Sequence, residues 1–207
     1  MPPEVAAVST ALPGPLTLWP ICFSGSAGMG QIAESLRTST SITHLRLNCC
    51  GIDDAGVIQL DESLHVNTKL TCLELDYTGV SAVGAMQLAE CLRINTTLTD
   101  LRLSGNGFGD AGAIQLAECL RINTTLTSLN LGFNKIGDVG AMQLAECLRI
   151  NTTLTCLVLT ANSTRDTGAS QLSECLRTNT ALTSLYLGYN EIGDAGTVQQ
   201  AECLHAH

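Results

Sequence analysis

Cysteine is the densest reactive chemistry in the chain, ten thiols in 207 residues. Five of them, Cys91, Cys119, Cys147, Cys175 and Cys203, recur 28 residues apart. That regularity argues for a packing position on successive helices. Parallel helices lie about 8–10 Å apart, whereas a disulfide needs Cα atoms within about 7 Å. The spacing therefore predicts small buried hydrophobes rather than crosslinks. The strongest grouping for a metal is His44 with Cys49 and Cys50. Adjacent cysteines point apart, however, and the sequence contains no C-x-x-C pair, so a structural reading is preferred and no metal or other cofactor is expected.

Carboxylate–guanidinium pairs come next: Glu90/Arg93, Glu118/Arg121, Glu146/Arg149 and Glu174/Arg177, each at i, i+3. On a helix these form solvated ion pairs worth roughly 0.2–0.5 kcal/mol each, not acid–base dyads. No G-x-S-x-G, H-E-x-x-H or G-x-x-x-x-G-K-[ST] occurs, and the G-x-G and G-D-x-G glycines fall at repeat corners. No catalytic residue is expected. Asn95, Asn123, Asn151 and Asn162 each open an N-x-[ST] glycosylation signal, which matters only in a secreted chain.

The elements that hold these residues repeat. Leu98, Leu126, Leu154 and Leu182 lie 28 residues apart, and Ile42 and Leu70 keep the same register. A period of this length signals a stacked-repeat architecture. In one unit, Leu98, Leu101 and Leu103 read as a short strand with Leu101 and Leu103 on one side. Asn106, Phe108 and Gly109-Asp110-Ala111-Gly112 turn the chain. Asp110 is expected to N-cap a helix whose buried stripe is Ala113, Leu116, Ala117 and Leu120. Asn106, Asn134, Asn162 and Asn190 are placed to carry hydrogen bonds up the stack to backbone groups that burial would otherwise strand. Cys50 and Thr78 replace asparagine in the first two units. Thr164 puts a hydroxyl where other units bury Ile or Phe, which marks unit five as the weak layer.

The consensus L-x-x-L-x-L-x-x-N-x-(I/F)-G-D-x-G-A-x-x-L-A-E-C-L resembles the leucine-rich repeat in its helix-backed, ribonuclease-inhibitor-like subtype. The same subtype forms the ligand-facing region of NOD-like receptors and the body of Ran GTPase-activating proteins. The resemblance implies an α/β solenoid, with a curved parallel sheet on the concave face and helices on the convex face. Six units of 28 residues cover 41–207, residues 15–40 read as a degenerate capping repeat, and 1–14 as an irregular lead. Trp19 is assigned to the cap, over the first leucine layer. The last unit reads as uncapped, so its apolar layer predicts either a longer array or end-to-end self-association. The secreted branch of the family closes its ends with compact cysteine clusters. None stands at either terminus here, so a reducing, cytoplasmic location is expected.

A formal net charge of −9 excludes nucleic acid as the main partner, because no basic stripe is present to neutralise phosphates. No run approaches the ~20 apolar residues of a membrane span, so no membrane is expected. Val5–Leu12 is apolar, yet no Lys or Arg precedes Arg37 and Pro13, Pro15 and Pro20 interrupt the segment, against a secretory signal.

What remains is the strand side facing away from the helices. One column reads His44, Cys72, Asp100, Ser128, Cys156 and Ser184, its neighbour Arg46, Glu74, Arg102, Asn130, Val158 and Tyr186. Beyond the strands come Cys49, Tyr77, Gly105, Phe133, Ala161 and Tyr189. These columns vary between units while the helices hardly do, as a partner-binding surface would. The candidate contacts are Arg46, Glu74, Arg102, Asn130, Phe133, Val158, Tyr186 and Tyr189. The expected function is a non-catalytic protein-interaction module or scaffold, in the resemblance a sensing segment of a NOD-like-receptor type protein. The second reading it permits is a small-GTPase regulator, although no residue here matches the functional residues of the Ran activators.

Overall fold

The computed structural model describes residues 16–18 and 26–197. Strands and helices alternate along the chain: β1 (Leu16–Leu18), α1 (Ser26–Thr38), β2 (Ile42–Arg46), α2 (Asp54–Val66), β3 (Cys72–Glu74), α3 (Ala82–Ile94), β4 (Asp100–Arg102), α4 (Gly109–Leu120), β5 (Ser128–Asn130), α5 (Asp138–Leu148), β6 (Cys156–Val158), α6 (Asp166–Leu176) and β7 (Ser184–Tyr186). The seven strands form one parallel sheet in sequence order, and each helix packs on the next. This is the α/β solenoid that the repeat implies.

Register follows the repeat. Leu45, Leu73, Leu101, Leu129, Leu157 and Leu185 are Cα partners in succession across β2 to β7. With Leu47, Leu75, Leu103, Leu131 and Leu159 they form a column exposed by no more than 1% up to β6. The helices close it with Val57, Leu60, Ala85, Leu88, Ala113, Leu116, Ala141 and Leu144. At β1 the register slips by one residue, so that Leu18 rather than Thr17 pairs with Leu45. Pairing there follows the hydrophobic pattern and not the 28-residue count. Trp19 and residues 198–207, Cys203 among them, lie outside the described residues, and with them the assignments of the cap aromatic and the uncapped end.

Three hydrogen-bond ladders stitch the units. In the anticipated one, Asn134 Nδ2 donates to Leu103 O of the preceding unit at 2.9 Å and Asn134 Oδ1 accepts from Asn106 N at 2.9 Å. Asn106, Asn162 and Asn190 make the same reach to Leu75 O, Leu131 O and Leu159 O. Thr78 bonds within its own unit and to the next one instead: its Oγ1 donates to Leu75 O at 2.8 Å and to Asn106 Oδ1 at 3.0 Å. Thr164 is fully buried and reaches Ile136 O only at 3.4 Å, a poor bond for a buried hydroxyl.

A second asparagine ladder escapes the sequence reading. Asn67, Asn95, Asn123, Asn151 and Asn179 follow the helices, and each donates to a leucine carbonyl of the preceding unit, at 2.5–2.8 Å. Their Oδ1 atoms accept from Leu70, Leu98, Leu126, Leu154 and Leu182 N. Asn95, Asn123 and Asn151 head three of the four glycosylation signals, and all four signal asparagines are at most 7% exposed. The folded chain offers none of these amides to a modifying enzyme.

The third ladder corrects the expected cap. Asp110 does not cap α4, whose N-cap position is Phe108 with no side-chain bond. Its Oδ1 instead accepts the N–H groups of Gly137 and Gly140, at 2.7 and 2.9 Å, at the start of α5. Asp54, Asp138 and Asp166 do the same for the helix one unit on. The carboxylate lies over the positive helix end of its neighbour, not of its own helix. A Cβ on Gly140 would come within 2.7 Å of Asp110 Oδ1, so the second glycine of G-D-x-G makes room for this approach. Ala82 occupies the aspartate position once, and there the ladder loses a rung. Gly109 N turns to Asn134 O at 2.8 Å instead.

Candidate functional site

Strand pairing sets the variable columns side by side on the sheet face away from the helices. His44, Cys72, Asp100, Ser128, Cys156 and Ser184 are consecutive Cα partners, and so are Arg46, Glu74, Arg102, Asn130, Val158 and Tyr186. Six of the eight candidate contacts therefore share one column of the sheet, Phe133 and Tyr189 following β5 and β7 just beyond it, and the eight are not equivalent.

Glu74 is only 4% exposed. Arg46 Nε lies 2.8 Å from its Oε1, and Asn48 Nδ2 donates to its Oε2 at 2.9 Å. Arg102 stands between Glu74 and Asp76, at 4.0 and 3.8 Å. The N-terminal end of the face is thus an internally neutralised network in which Glu74 holds Arg46 and Arg102 in place. Its own carboxylate is not presented to a partner. Burial raises the carboxyl groups of Asp76 and Asp100 above the usual range, countered in part at Asp76 by the Ser104 N–H and at Asp100 by Arg102. Asp100 Oδ1 is buried without a hydrogen-bond partner on this face. Asn130 turns its Oδ1 to Gly132 N at 3.0 Å, and Val158 is half-buried.

The aromatic positions are open. Tyr77, Phe133, Tyr186 and Tyr189 are 53, 52, 53 and 89% exposed. The rim position just beyond each strand takes a left-handed backbone: φ is +58° at Cys49, +56° at Tyr77, +56° at Phe133, +55° at Ala161 and +57° at Tyr189. Non-glycine residues adopt this region uncommonly, and one residue per unit repeats it. At the remaining position, Gly105, the side chain is missing and Tyr77 fills the gap. A Cβ there would lie 2.2 Å from the Tyr77 ring. Tyr77 thereby comes within a 6.2 Å centroid distance of Phe133, two units away, at an interplanar angle of 47°. Sequence reasoning placed Tyr77 in the right column but left it out of the candidate contacts. The signal that could have found it is the glycine beside it.

The opposite face is less polar than the ion pairs suggested. Val66, Ile94, Ile122 and Ile150, one per unit, are 55–61% exposed on the helix side. Arg93, Arg149 and Arg177 pair with Glu90, Glu146 and Glu174 at 3.2, 3.8 and 3.0 Å, whereas Glu118 reaches Arg93 of the preceding unit at 3.9 Å.

The cysteine column is buried as expected. Cys91, Cys119, Cys147 and Cys175, the described members of the column, are at most 1% exposed. Burial pushes the thiols of Cys91, Cys119 and Cys147 up to about 12, which keeps them protonated at neutral pH. His44, Cys49 and Cys50 do not gather: His44 Nδ1 is bonded to Thr43 Oγ1 at 2.8 Å, Cys49 is exposed, and Cys50 Sγ lies 3.3 Å from Asn48 O.

The family profile described as "Leucine Rich repeat" matches residues 38–60, 66–89, 95–117, 123–145 and 178–197, more than half of the chain. The chain belongs to the leucine-rich repeat family. Solved structures with this fold include the one titled Leiomodin-1 Actin-Binding Site 2, which is 18% identical with a TM-score of 0.59 and covers 85% of this chain and 87% of that one. The C-terminal domain of a Caenorhabditis elegans tropomodulin is 12% identical with a TM-score of 0.56, covering 86% of this chain and 92% of that one. No curated protein sequence matches the chain. Among the described residues of this leucine-rich repeat chain, no helix is long and apolar enough to cross a membrane.

Proposed function

We propose that this chain is a non-catalytic protein-interaction module that binds a protein partner on its concave face. The contacts are Arg46, Arg102, Asn130, Phe133, Val158, Tyr186 and Tyr189, to which Tyr77 is added, with Glu74 acting by holding the two arginines. The observation that carries this reading is the row of exposed rings on left-handed backbone. It presents large apolar area at low conformational cost, as interface anchors do. Within this reading the chain is a sensing or scaffolding segment of NOD-like-receptor type in a reducing cytoplasm, supported by the packing role of the buried Cys91, Cys119 and Cys147 and by membership of the leucine-rich repeat family.

Capture from native cytosol with the parent chain and with a Tyr186→Ala, Tyr189→Ala variant tests the reading. Loss of a captured protein in the variant is expected. Actin is the first purified partner to try, because the Leiomodin-1 structure is titled as an actin-binding site. A chain that accelerates GTP turnover by a small GTPase would replace this reading with the regulator alternative. Equal capture by parent and variant would remove the rim from the interface.

A further inference from the structure

The 28-residue repeat makes departures from it visible, and two departures meet at one point on the helix side. Asp61 stands where Ala89, Ala117 and Ala145 stand in later units, and His65 stands where Arg93, Arg121 and Arg149 stand. Asp61 and His65 are four residues apart on α2 and so share a face. Across from them on α3 lies Cys91, the cysteine of the buried column. One ligand atom from each of Asp61, His65 and Cys91 lies within 4.8 Å of the other two, the one such grouping of His, Cys, Asp or Glu among the described residues.

We propose that Asp61, His65 and Cys91 form a binding site for one borderline-soft divalent cation of the Zn2+ type, bridging α2 and α3. A thiolate, an imidazole and a carboxylate are the donor set such an ion takes, with three protein ligands leaving one position for water. A tetrahedral ion with bonds of about 2.0–2.3 Å holds its ligands roughly 3.3–3.8 Å apart. His65 Nε2 and Asp61 Oδ1 are already 3.5 Å apart. Asp61 Oδ2 is steadied by Gln87 Nε2 at 3.1 Å, the outer support that orients a ligating carboxylate. Asp61 Oδ1 is buried without a well-formed hydrogen bond, and the groups that face the Asp61 carboxylate are His65 Nε2 and the Cys91 thiol, the two other ligands proposed.

Binding is a proton exchange with no redox step. The Cys91 S–H bond breaks, its proton leaves to solvent, and the sulfur electron pair forms the bond to the ion. Neutral His65 and ionised Asp61 donate lone pairs without further proton release. Water reaches the fourth position past His65, which is exposed. The ion would tie two consecutive repeats together from the side opposite the proposed protein-binding face, so this inference does not depend on that reading.

The repeat also supplies variants compatible with the fold. Asp61→Ala, His65→Arg and Cys91→Ser each install the residue a sister unit carries at that position, Ser63 being the counterpart of Cys91. The full chain, kept reduced, is titrated with Co2+ as the probe, followed by competition with Zn2+. One equivalent with a thiolate-to-cobalt charge-transfer band is expected, and a Zn2+-dependent rise in melting temperature. Each of the three variants loses at least tenfold in affinity, while Cys119→Ser, in the same column without the acid and imidazole, matches the parent. A parent chain with no charge-transfer band overturns the proposal. So does a band that persists in Cys91→Ser, or Asp61→Ala and His65→Arg variants that bind within twofold of the parent.

Discussion

Asp110 Oδ1 accepts the backbone N–H of Gly140, thirty residues further along the chain, at 2.9 Å. The bond crosses from one repeat to the next, so the cap of α5, like that of α6, is a coupling term between units and not a property of one unit. In a solenoid, such nearest-neighbour terms decide whether the array melts as one body or frays by layers.

Asp110→Ala should therefore destabilise the chain by about 0.5–2 kcal/mol, the usual worth of an N-cap, through α5 rather than α4. Amide hydrogen exchange on the variant is the check. Faster exchange should appear at Gly137 and Gly140 and in the first turn of α5, with the first turn of α4 unchanged.

Asn123→Ala removes a buried amide that holds Leu92 O at 2.7 Å and Leu126 N at 2.8 Å. Two buried backbone groups lose partners at once, and roughly 2–4 kcal/mol of stability should go with them. Urea unfolding measures the change. A loss under 1 kcal/mol would mean that water replaces the amide at that depth. Expression through a secretory route should leave Asn95, Asn123 and Asn151 unglycosylated on folded chain, as intact mass would show.

The thiols supply a pH dependence. Cys91, Cys119 and Cys147 ionise near 12 when folded against an ordinary value of 9.0, so the folded state holds the proton more tightly than the unfolded state does. Their contribution to stability is complete below about pH 9 and is lost as pH rises towards 12, with a slope of at most ~1.4 kcal/mol per pH unit for each thiol. Cys119→Ala should shallow the alkaline decline by one thiol's share. At pH 8, native alkylation should label Cys49 and spare Cys91, Cys119, Cys147 and Cys175, whereas denatured, unreduced chain should take up ten labels.

On the concave face, Tyr186→Ala with Tyr189→Ala should weaken partner binding by more than about 1 kcal/mol. Gly105→Ala tests the rim indirectly, since its methyl would drive the Tyr77 ring off its seat and away from Phe133. Ile122→Ser, on the exposed helix-side row, is the control. Should Ile122→Ser weaken capture while the tyrosine changes do not, the partner sits on the helices.

The 28-residue period, the leucine column, the Asn106–Asn190 ladder and the burial of Cys91, Cys119, Cys147 and Cys175 were all legible in the sequence. Each is a local pattern repeated at fixed spacing, and stacking can only superpose it. The columns of the concave face were legible for the same reason, because strand alternation and a constant repeat fix which residues are neighbours. Which members of a column are presented was not. Glu74 and Tyr186 occupy the same register position, yet one is buried between Arg46 and Arg102 and the other stands open. That difference arises from side chains of adjacent units meeting across the sheet, which no single unit encodes. Asp110 read as the cap of its own helix because sequence proximity favours the local partner. The stack offered a nearer one, the exposed N–H groups of α5, and a glycine there let the carboxylate in.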